Sequence, residues 1–138
     1  MTPQQVFEQV EALIGKRPFQ HDHVAATTHT PLVLDPGPSN TWFSVFKGSG
    51  GPFQGVELRE PTAESPGKGG MVILTLGEPC ISAADVGERF GQAGPPALRR
   101  PNAPANQPVD VSYPQDWGQV TLGYRDDCLV RVILNANQ

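Results

Sequence analysis

His21, Asp22, His23 and His29 are the one cluster of this chain whose residue types could ligate a metal. Imidazole and carboxylate together suit zinc or another first-row ion. On an extended segment, His21 and His23 would turn their rings to the same side. A metal-dependent hydrolase is the catalytic function such a cluster would serve. Against it, the spacing follows no metal-binding motif, and residues 16–30 read as a polar, irregular loop. The plainer expectation is a solvated loop that holds no metal and no cofactor.

Cys80 and Cys128 are the only two cysteines. They do not form a Cys-x-x-Cys redox pair. One reading is two buried free thiols, as in cytosolic proteins. The other is a disulfide, with the oxidising compartment that it requires. Both residues border core elements. Cys128 is expected to share an inward face with Val130, Val132 and Leu134. The disulfide is the favoured reading.

Nucleophilic and phosphate chemistry find no starting point. No Gly-x-Ser-x-Gly elbow occurs, and the three histidines fall within nine positions. Gly48-Ser49-Gly50-Gly51 lacks the Lys-Ser/Thr and the helix of a phosphate loop, so it reads as a hairpin turn. Asp126-Asp127 reads as another turn rather than a calcium site. Trp42, Phe43 and Phe46 read as core. Trp117, in Tyr113-Pro114-Gln115-Asp116-Trp117-Gly118, lies at a strand junction. There it either anchors a partner or folds back over the sheet end. Arg99 and Arg100 suit bidentate contact with carboxylates. Arg99, Arg100, Tyr113 and Trp117 are therefore the expected partner contacts.

The elements that must carry these residues are well punctuated. Thr2, Pro3 and Gln5 open a first helix with a capping box. Val6, Phe7, Val10, Leu13 and Ile14 give it one apolar stripe, and Gly15 ends it. Strands are expected over residues 31–34, 41–46, 53–60 and 71–76. The last of these is apolar at nearly every position, as in a strand covered on both faces. A second helix is expected over residues 82–91. Ser82 is its cap, Asp85 answers the cap, Ile81 and Val86 form a staple, and Gly91 stops it. Residues 92–108 read as a long proline-rich loop. Val109, Val111 and Tyr113 alternate, and a hairpin closes the chain around Arg125-Asp126-Asp127. The expected fold is α+β in a single domain, 1–138: one antiparallel sheet of about six or seven strands with two short helices packed on it.

Composition narrows the function further. Gly and Pro number 15 each, which calls for many turns. The net charge of −4 argues against nucleic acid or an anionic membrane as the main partner. No apolar run approaches the roughly 20 residues of a membrane span. Met1-Thr2-Pro3-Gln4-Gln5 shows no basic start of a signal peptide. Two expectations stay open there: a cytosolic protein, or a sequence that begins after a removed signal.

Residues 81–91, the proline-rich loop, Tyr113, and Val120-Thr121-Leu122-Gly123-Tyr124 turning into Cys128-Leu129-Val130-Arg131-Val132-Ile133-Leu134 form a series. It runs capped helix, Gly, Pro, antiparallel meander with an aromatic. The series resembles the helix-plus-meander unit of the β-lactamase-inhibitor-protein superfamily, which also includes small outer-membrane assembly lipoproteins. In size and style the chain is also similar to immunity proteins that neutralise toxins delivered by bacterial type VI secretion. The resemblance covers residues 80–134 and rests on patterning and spacing. The longer run of strands before residue 82 departs from the usual two-unit layout. The resemblance implies a periplasmic, non-catalytic protein that binds another protein, a toxin or enzyme, with its sheet face and loops. A structural accessory of the envelope or of a secretion system is the alternative within binding proteins.

Overall fold

The structure is a computed structural model that describes residues 2–66, 69–77, 80–82, 90 and 108–136. In chain order its elements are α1 (Pro3–Ile14), α2 (His21–Thr28), β1 (Val33–Leu34), β2 (Phe43–Gly48), β3 (Gly55–Pro61), β4 (Gly70–Thr75), β5 (Val109–Gln115), β6 (Gly118–Arg125) and β7 (Cys128–Ala136). The strands form one seven-stranded antiparallel sheet in the order β1-β2-β3-β4-β7-β6-β5. This is the expected α+β arrangement of a single sheet and two helices.

α1 forms as its sequence dictates. Thr2 Oγ1 accepts from the Gln5 N–H at 3.2 Å, and the Thr2 N–H donates to Gln5 Oε1 at 2.8 Å. Two of the free donors at the helix start are thereby satisfied. Val6, Phe7, Val10 and Leu13 are buried. Each contributes on the order of 1.5–3 kcal/mol by leaving water.

α2 overturns the irregular loop expected over residues 16–30. Gln20 supplies no side-chain cap. Instead the Glu60 carboxylate of β3 accepts the His21 N–H at 3.1 Å. A negative charge also suits the positive end of a helix. Val24 and Thr28, one turn apart, face the core, and Thr28 Oγ1 donates to the Val24 carbonyl at 2.7 Å. His29 ends the helix in the left-handed region at φ 52°. The capping group is distant in sequence, so local pattern does not reveal it.

The second helix expected over residues 82–91 lies outside the described residues, apart from Ser82 and Phe90. The proline-rich loop lies outside them as well, apart from Pro108, and so do Arg99 and Arg100.

The core is a set of rows across the sheet. Leu58, Val72, Leu134, Val120 and Tyr113 are successive partners from β3 to β5. Val56, Leu74, Val132, Leu122 and Val111 form the next row. The buried residues of α1 and α2 join the same cluster. On the other face of β4, Met71 and Ile73 are only half-buried, so the strand is not covered equally on both sides.

β7 contains a bulge. Gly123 pairs with Arg131 but Tyr124 with Leu129, which leaves Val130 as the extra residue. The inward face therefore passes from Leu129 to Val132 and Leu134. Cys128 and Val130 are half-buried, and the expected single inward face of Cys128, Val130, Val132 and Leu134 does not form. The Cys80–Cys128 disulfide nevertheless exists, with Cα atoms 5.1 Å apart. Beside it the Leu129 N–H donates to the Ile81 carbonyl at 2.8 Å, and Ser82 bridges Cys128. The staple thus pins the chain that leaves β4 onto the start of β7.

Across the sheet from the core, Arg131 reaches over Gly123 to Asp110. Its Nε donates to Asp110 Oδ1 at 3.0 Å and its Nη2 to Oδ2 at 2.6 Å. A Cβ on Gly123 would stand 2.6 Å from Arg131 Cγ and 2.7 Å from Asp110 Oδ1. The missing side chain is what lets the pair span β6. Gly123→Ala should lower stability by about 1–2 kcal/mol. The loss should shrink in an Arg131→Ala background, where the side chain that must move is gone. Urea unfolding of the four variants checks this, and equal losses in both backgrounds would contradict it.

Candidate interaction site

The histidines do not converge. α2 turns by about 100° per residue, so His21 and His23 point about 200° apart rather than to one side. The His21 ring stacks on Phe46, with centroids 4.5 Å apart and planes at 10°. Its Nδ1 lies 3.1 Å from Glu60 Oε2. The His23 N–H donates to Asp22 Oδ1, and His29 caps the helix end. Among the described residues, no three His, Cys, Asp or Glu side chains gather as a metal site would require. His21 instead ties α2 to β2 and β3.

Trp117 sits in the two-residue turn between β5 and β6. It is half-buried against the core, with the Arg17 guanidinium 4.9 Å from its ring centroid. Arg17 Nε in turn donates to the Ile14 carbonyl at 2.6 Å, at the end of α1. The Trp117 ring is thus clamped between a helix terminus and the sheet end. Tyr113 is 6% exposed. Its ring lies tilted against Phe90 at 6.1 Å, and Phe90 lies against Phe7 at 5.5 Å. Gln115 Nε2 donates to the Phe90 carbonyl at 3.1 Å. Of the expected contact residues, the structure therefore places Tyr113 on β5, two residues before its last, and Trp117 in the hairpin turn that follows.

The other end of that hairpin holds a feature that was not read from the sequence. A pocket of about 350 Å³ is lined by Val109, Val111, Tyr113, Tyr124, Asp126 and Asp127. Register explains the grouping. Val109 is directly opposite Tyr124, and Val111 and Tyr113 follow on the same face. Asp126 and Asp127 adopt φ 52° and 65°, the left-handed pair of a tight hairpin turn. That turn sets both residues beside the pocket. The Tyr124 hydroxyl is buried without a hydrogen-bond partner among the described residues. Burial first, then Tyr113 and Asp127, push its pKa upward. Burial likewise raises that of Tyr113. The alternation of Val109-Val111-Tyr113 was a legible signal, but the pairing with Tyr124 needed the register.

No helix among the described residues is long and apolar enough to cross a membrane. The disulfide is compatible with an oxidising periplasmic or secreted location. Comparison with protein-family models, curated proteins and solved structures gives no match to this chain.

Proposed function

We propose that this chain is a non-catalytic protein-binding module of inhibitor or immunity type, which acts in the periplasm by blocking a toxin or enzyme. The observation that carries the reading is the clamped Trp117. A half-exposed aromatic, fixed at a hairpin tip by Arg17 and by packing against the core, loses little entropy on meeting a partner. The meander β5-β6-β7 is the strand part of the unit that the resemblance implies, whose helix lies outside the described residues. Arg99 and Arg100 remain proposed contacts from their residue type alone.

The test is a titration against the protein encoded beside this gene, with that protein's activity as readout. Trp117→Ala, or Arg99→Glu with Arg100→Glu, should weaken binding at least tenfold, about 1.4 kcal/mol. The arginine changes should leave melting unchanged. A partner that binds without losing activity would remove the inhibitor reading. Unchanged affinity in both variants would move the interface away from these residues.

A further inference from the structure

We propose that the outer edge of β5 and the pocket beside it receive an extended, basic segment of a partner protein. The inference rests on the binding-module reading and names the chemistry of what is bound.

The first observation is an open edge. β5 is the last strand of the sheet, and among the described residues nothing pairs with its outer side. Its turn closes on Gln115 and Gly118, and Pro114 has no N–H for the ladder. Val109, Val111, Tyr113 and Gln115 therefore bond inward to β6, and the main-chain groups of Asp110 and Ser112 face outward.

The second observation is the apolar pocket on the face that an added strand would share. Val109 and Val111 form its wall along β5, and Val109 is 40% exposed. Strand addition takes its affinity from main-chain bonds and its specificity from pockets for alternate side chains. The third is charge. Asp126 and Asp127 border the pocket, and among the described residues neither forms an ion pair and no cation lines it. A lysine or arginine of the incoming strand can lay its apolar stem on Val109 and carry its charge to these carboxylates. A second copy of this chain is disfavoured as the occupant, because it brings the same acidic rim and a net charge of −4.

The probes are three fluorescein-labelled, end-blocked octapeptides that alternate valine with lysine, valine with glutamate, and serine with lysine. Anisotropy gives affinity, and amide chemical shifts give location. The valine–lysine peptide should bind at least tenfold tighter than either of the others. Its shifts should centre on residues 109–115 and 126–127. Asp126→Asn with Asp127→Asn should weaken it about tenfold, and asparagine tolerates the left-handed turn, so the fold is kept. Val109→Asp should abolish the preference for valine over serine. The proposal is overturned by equal affinity for the lysine and glutamate peptides. Shifts elsewhere, an unaffected asparagine variant, or no binding at millimolar peptide overturn it equally. A dimer in sedimentation that Val109→Asp dissolves would give the edge to a second copy instead. None of these failures touches the binding-module reading, which stands or falls on inhibition of the partner.

Discussion

Reduction of the Cys80–Cys128 bridge, or Cys80→Ser with Cys128→Ser, should destabilise the protein by about 2–4 kcal/mol. For a chain of this size that is a fall in melting temperature on the order of 10 °C. The bridge joins residues 48 positions apart. Its main effect is to restrict the unfolded chain, which loses more freedom the longer the closed loop. A local effect adds to this. The staple holds Ile81, 3% exposed, where its carbonyl accepts the Leu129 N–H. Cutting it frees the end of that short strip from β7. Circular dichroism melts with and without reductant measure the loss. Titration of the denatured, unreduced protein should find no free thiol. Equal melting temperatures for the two forms would show that packing alone secures this junction.

The second expected result is a gain. Tyr124→Phe should stabilise the protein at neutral pH by about 1–3 kcal/mol. The ring stays in the core, while a buried hydroxyl without a partner among the described residues is removed. The pH dependence has a definite sign. Burial raises the Tyr124 pKa in the fold, whereas an unfolded tyrosine titrates near 10. Above that pH the unfolded chain loses its proton first, so stability is intact below pH 10 and falls as pH rises beyond it. Phenylalanine removes that contribution, and the advantage of the variant should widen in alkali. Tyr113 shares the trend and leaves a residual alkaline loss. Urea midpoints from pH 7 to 11 test both parts. A less stable variant at neutral pH would mean that water or a ligand serves the hydroxyl.

Much of the fold is legible because its signals are local. The Thr2-Gln5 capping box, the period of α1 and the turn residues between strands each act over a few positions. β2 starts two residues later than the expected 41–46, because Asn40 Oδ1 accepts the Trp42 and Phe43 N–H groups and holds a turn there. α2 was hidden for the opposite reason. Its cap comes from Glu60, 39 positions away, and its two buried residues make too thin a stripe. The bulge at Val130 is likewise a property of paired strands, and it redirected the face assigned to Cys128. The pocket follows the same rule. Each wall residue was visible, but the register that gathers them was not.

The place of β7 in the sheet has a kinetic consequence. β1 to β4 pair each with the next, and so do β5 to β7. Each group can assemble from neighbouring hairpins, which closes quickly. The two groups meet where β4 lies along β7, joining residues roughly 60 positions apart. That single encounter carries most of the chain-closure cost of the whole sheet. Refolding should thus be limited by docking of two preformed meanders. An oxidised chain begins that search with the exit of β4 already tethered to the first residue of β7.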